Sequence, residues 1–152
     1  MFGKPTSQYL GFEKVFLGLI AAVGLARLGL SLSGVPDAAV RWLSMNVVLW
    51  GGTLYYGAAV HTSGFGSYKQ LLPLTFFQTL LFHLIAVTGI LLTIAGVPNI
   101  YAAPEFSGPA AQNQWLHALA HLTIGLLAAT LIWWGVACLA MWITRKVAAR
   151  GR

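Results

Sequence analysis

The stretch QNQWLHALAHLTIGLLAATLIWWGVACLAMWITRK, residues 112–146, decides the fold. From Leu122 to Ile143 it has no charged side chain, and that run exceeds the ~20 residues that cross the hydrocarbon core of a bilayer. A transmembrane helix is expected. His117 and His121 stand in its first turns, four apart and therefore on one helix face, while Arg145 and Lys146 close the other end.

The whole chain has 152 residues, 58% hydrophobic and 8% charged, against roughly 25% charged in a soluble domain. This composition predicts an all-α integral membrane protein. Its net charge of +6 gathers at the ends of apolar runs, where it reports topology rather than affinity for nucleic acid. The one cysteine, Cys138, sits inside the last apolar run. It excludes a disulfide framework and a cysteine-rich metal knuckle, and its apolar setting leaves the thiol inert. The N-terminal arm is polar and no A-x-A-like site follows the first apolar run, so that run is expected to stay in the mature protein.

Working outward, three further spans are predicted, over about 16–32, 38–60 and 72–95, with the fourth over 115–143. Gly18, Ala22 and Ala26 form a ridge of small residues on the first span, suited to close helix approach. Ser31-Leu32-Ser33-Gly34-Val35-Pro36 ends that span, HTSGFGSYKQ at 61–70 is a loop, and Gly96-Val97-Pro98-Asn99 ends the third. Pro73 is expected in the first turn of the third span, where its missing amide is harmless. Residues 97–111 form a longer connection, expected to pack as a cap. The architecture is a single four-helix antiparallel bundle without internal repeats. Lys4, Lys14, Lys69, Arg145, Lys146, Arg150 and Arg152 fall on one side, offset by Glu13. The positive-inside rule makes that side cytoplasmic. Both termini then lie inside and the 97–111 cap outside, in what is expected to be a bacterial plasma membrane.

The histidines are the conventional ligand set. His61 falls at the inner end of the second span, away from the others. His83, in the middle of the third span, needs a hydrogen bond or a ligand. His117 and His121 have a spacing that chelates metals from one helix face, but Ala118 stands where a zinc protease needs glutamate, which discards that chemistry. With 1.5 Å of rise per residue, measured from 97 and 112, His83 lies ~8 Å deeper than His121 and further still below His117. His83 with His121 is therefore the leading pair for haem b, with His83, His117 and His121 as a candidate transition-metal set. Arg27, Arg41 and Asn46 in the outer halves of the first two spans suit haem propionates or a quinone carbonyl; Asp37 and Glu105 suit the same arginines as ion pairs. Trp133, Trp134 and the Gly125, Ala128, Ala129 seam serve packing, or a flat cofactor.

Three functions remain open. The first is a cofactor-binding electron-transfer module using haem, a metal or quinone. The second is a structural or accessory subunit of a membrane complex, with the bilayer, copies of itself or other membrane subunits as partners. Transport of a small solute or ion ranks third, because Glu13, Asp37 and Glu105 are all expected outside the membrane core. No complete catalytic constellation is present.

Overall fold

The computed structural model describes residues 1–101 and 111–150. Its helices are α1 (Thr6–Leu32), a single turn α2 (Asp37–Val40), α3 (Met45–Thr62), α4 (Tyr68–Ile94), α5 (Ala111–Ala120) and α6 (Leu126–Arg150), the last two joined by a π-helical turn over His121–Gly125. Four rods result, because α5, the π turn and α6 form one continuous helix. Three of them, α1, α4 and the stretch Asn113–Arg150, are long and apolar enough to cross a membrane. The fourth, α3, has 18 residues, about 27 Å at the usual rise, and carries Asn46 and His61 near its ends.

The helix ends follow from local chemistry. Both α1 and α4 stop at Gly-Val-Pro. Gly34 and Gly96 take left-handed backbone (φ +80° and +86°), and the amides of Val35 and Val97 return to the carbonyls of Leu30 and Leu92 at 3.0 and 2.9 Å. This closure satisfies carbonyls that a helix end would leave exposed. α4 starts earlier than expected, because the Gln70 side chain accepts from the Ser67 amide at 2.8 Å and caps the new end. Pro73 consequently sits in the second turn rather than the first. The second span is broken as well. Trp42 Nε1 donates to Ala39 O at 2.9 Å, α2 ends there, and Ser44 is extended (φ −118°, ψ 119°) before α3 begins.

Antiparallel order is fixed at both ends of the bundle. At one end, Phe65 of the α3–α4 loop stacks on Phe12 with centroids 4.0 Å apart, Gln70 Nε2 donates to Phe2 O, and Trp134 Nε1 donates to Tyr68 O. At the other, the Ile100 amide donates to Ser31 Oγ at 2.9 Å and the Tyr101 hydroxyl to Gly24 O at 3.3 Å. Burial raises the pKa of the Tyr101 phenol and Arg27 opposes the rise. The remainder of the expected cap, with Glu105, lies outside the described residues.

The main seams join α3 to α6, and α4 to both α1 and α6. Tyr9, Tyr56, Val60, Leu71, Leu74, Ala137 and Met141 fill the end near the N-terminus, and Ile20, Met45, Leu49 and Ile85 fill the middle. Trp133 meets Trp50 edge-on at 4.8 Å, so it serves helix contact. Leu25, Val47, Leu119, Ile124, Leu127 and Ile132 point outward, an apolar exterior that suits lipid and would be a liability in water. Since lipid is as apolar as a core, close packing has to hold the helices together. Gly57 shows how close the approach is: a Cβ there would stand 2.6 Å from Ala137 O. Gly18, Ala22 and Ala26 face outward instead, and the α1 face turned inward is Tyr9, Glu13, Ile20, Gly24 and Leu28.

Gly57→Ala is expected to destabilise the bundle by about 1–3 kcal/mol through overpacking. Gly18→Ala, whose new Cβ meets nothing within 4 Å, is expected to stay within about 0.5 kcal/mol. Reversible unfolding in mixed micelles measures both.

Candidate functional site

His83 lies on α4 and His121 begins the π turn. Their Nδ1 atoms are 2.8 Å apart, with ring centroids at 5.0 Å and planes crossing at 61°. On its other edge, His121 Nε2 stands 3.2 Å from His117 Nε2. The three imidazoles therefore form a chain with His121 in the middle. Each contact requires one nitrogen to carry the proton and its neighbour to accept it, so the chain has a direction set by tautomers. His83 is only 5% exposed; its Cε1 lies against Gly125, and its buried Nε2 makes no hydrogen bond among the described residues.

The expected depth offset shrinks because α4 ends at Ile94 rather than at residue 97, which brings His83 about 4.5 Å closer to the level of His121. The π turn does the rest. Leu126 N–H reaches His121 O, five residues back, which inserts one residue into the helix. At about 100° per residue, a regular helix would place His121 roughly 180° away from Thr130. The inserted residue removes about 100° of that difference. His121 can then meet His83 while Thr130, Ala137 and Met141 face the bundle below it.

Thr130 meets α4 directly: its Oγ1 lies 2.7 Å from Thr79 Oγ1. Thr75, Gln78, Thr79 and His83 are all buried on α4, at spacings of three and four that align them along neighbouring faces. Gln78 turns toward α1, where its Nε2 donates to Glu13 Oε2 at 3.0 Å. Glu13, expected outside the membrane core, is fully buried between helices, about 10 Å from the first residue of α1. A carboxyl so near a basic end reads as a surface group in the sequence; the inward face shared by Tyr9, Glu13 and Ile20 is the signal that finds it.

The polar residues expected above the histidines are not gathered there. Arg27 pairs with Asp37 at 2.8 Å, while Arg41 and Asn46 are exposed, Asn46 in the first turn of α3. His61 lies near Arg145, Ala148 and Ala149 at the other end of the bundle. Beside the histidines is a shallow groove of ≈ 260 Å³ lined by His83, His117, Ala120, His121, Ile124 and Gly125. Its floor is imidazole and its rim is apolar.

Two candidate ligands can be tested against this geometry. A haem iron between two axial imidazoles, each about 2.0 Å from the metal, needs their nitrogens roughly 4 Å apart with the ring plane between them; here the nitrogens touch. A single metal ion cannot collect all three rings either, because His121 gives Nδ1 to one neighbour and Nε2 to the other. Among the described residues, no three His, Cys, Asp or Glu side chains are placed to hold a metal ion. No family model, curated protein or solved structure matches this chain.

A double-mutant cycle on His83→Ala and His121→Ala should give a coupling of about 0.6–1.7 kcal/mol, the range of interhelical hydrogen bonds in membranes. Deleting Ile124 restores a regular helix and turns His121 away, so the coupling should vanish in that background.

Proposed function

We propose that this small polytopic membrane protein binds a lipid-soluble carbonyl compound, a quinone ring above all, at the His83–His121–His117 chain and serves a membrane redox system. The observation that carries this reading is the direct 2.8 Å contact of two intramembrane imidazoles beside an apolar groove. The apolar groove suits a flat ring arriving from the bilayer, and a carbonyl oxygen would take an imidazole N–H by displacing one of the ring-to-ring contacts of the chain. A bound quinone would supply electron and proton uptake, with the electrons coming from a partner subunit. The chain's own part is to hold a proton at His121 and pass it along by exchanging tautomers with His83 and His117. In this reading α3 crosses the membrane with the other three rods, the termini face the cytoplasm, and the histidines lie in the outer half of a bacterial plasma membrane. Haem and a single metal ion fit the site less well, for the geometric reasons above.

The outward ridge of Gly18, Ala22 and Ala26 favours a second role as a subunit of a larger assembly. Small residues on a lipid-facing helix let another helix approach closely.

Titration of the protein in nanodiscs with a short-chain quinone, followed by tryptophan fluorescence, is expected to show saturable binding. His121→Ala should weaken it about tenfold, the value of one lost hydrogen bond, and His61→Ala should leave it unchanged. Absence of saturation, or binding indifferent to His83 and His121, refutes the proposal.

A further inference from the structure

Glu13 is 0% exposed and Gln78 is 1% exposed. One hydrogen bond joins them, from Gln78 Nε2 to Glu13 Oε2. Their remaining oxygens, Glu13 Oε1 and Gln78 Oε1, have no partner among the described residues. Gln78 Oε1 is pressed against α3, where a Cβ at Gly52 would meet it at 2.9 Å. Two acceptors without a donor are expensive to bury, and a single proton on Glu13 would turn one of them into the donor the other lacks.

Among the described residues, no cation is paired with this carboxyl. From α3 come Tyr56 and, beyond it, Tyr55; Tyr56 is close enough to interact electrostatically with Glu13 and gives its hydroxyl to Phe12 O. From α4 comes Gln78, which is neutral. On α1, Tyr9 donates to Met1 O and Lys14 is exposed. From α6, Cys138 packs against the cluster holding Tyr9 and Tyr56. The only described ion pair, Arg27 with Asp37, is at the opposite end of α1. A carboxylate left unpaired in this setting would lack the compensation that buried charges require.

We propose that Glu13 is a proton-binding site inside the membrane and the inner station of a proton path along α4 to His83. Loading puts one proton on Glu13 Oε1 and converts the carboxylate to a neutral acid hydrogen-bonded to Gln78 Oε1. Release returns the carboxylate, still holding Gln78 Nε2–H, and sends the proton toward the Thr79–Thr130 hydroxyl pair one residue further along α4. Gln78 and His83 are about 7.5 Å apart along the helix axis; the Thr79–Thr130 pair lies between those levels on the face of α4 turned to the last helix, so the proton has to cross from the α1 side of α4 to the α6 side to reach the imidazole chain. Intramembrane acids and histidines mark proton relays. The path shares His83 with the quinone reading and requires no quinone.

Proteoliposomes with an internal pH-sensitive dye, driven by a potassium diffusion potential, test the path in the absence of quinone. The intact protein is expected to admit protons. Glu13→Gln, which keeps the shape and the amide contact, should slow uptake roughly tenfold or more, and His61→Ala should leave it unchanged. Infrared difference spectra of the same samples should contain a protonated-carboxyl band near neutral pH that Glu13→Gln removes. Uptake no faster than in empty liposomes, uptake unaffected by Glu13→Gln, a sodium requirement, or absence of the carboxyl band each overturns the inference. Failure of quinone binding alone would overturn the ligand reading and leave this one standing.

Discussion

Each polar side chain carried by α4 has to find its partner inside the bundle, because lipid offers none. Thr75 and Thr79 return their hydroxyls to the carbonyls of their own helix, Thr79 also meets Thr130, Gln78 meets Glu13, and His83 meets His121. These pairings bind α4 to α1 on one side and to the last helix on the other. Small residues permit the close approach; the polar contacts fix rotation and register. An apolar α4 could turn about its axis at little cost, whereas this one has its orientation specified at three levels.

Between those levels the two neighbours of α4 contribute differently. α1 supplies one carboxyl low in the bundle and otherwise an apolar or small face. The last helix supplies a hydroxyl in its lower part and two imidazoles above. A regular α-helix cannot present Thr130 and His121 to the same neighbour, so the backbone departs from α geometry at the boundary between them. The irregular turn sits beside the groove, where π turns are often found in proteins that bind ligands.

Much of the architecture was legible in the sequence. Apolar runs and Gly-Val-Pro terminators are local signals, and they placed four rods close to where they are observed; of the four spans expected, three are long and apolar enough to cross a membrane. The break between Val40 and Met45 was hidden because residues on both sides of it are apolar. His83 and His121 could be named as a pair, but their relative depth depended on helix ends, and a three-residue error in an end shifts a level by about 4.5 Å. The π turn was invisible, since a helix apolar on every face shows no phase slip. Arg27, Arg41 and Asn46 were grouped by depth alone. Rotation about the helix axis, which depth does not report, sends Arg27 to Asp37 and the other two outward. The same missing angle concealed Glu13, whose place in the chain suggested a surface and whose direction points inward.

The extra residue in the 121–125 turn also gives the last helix two independent phases. Its lower part is keyed to α3 by Gly57 and Ala137, and its upper part to α4 by His121. A regularised helix could satisfy one of these keys but not both. The turn is therefore a rotational joint: displacing it along the chain would swing the segment carrying His117 and His121 by about a third of a revolution while the seam against α3 stayed closed. The imidazole contacts and the angular position of the segment that carries His117 and His121 are thus the same degree of freedom.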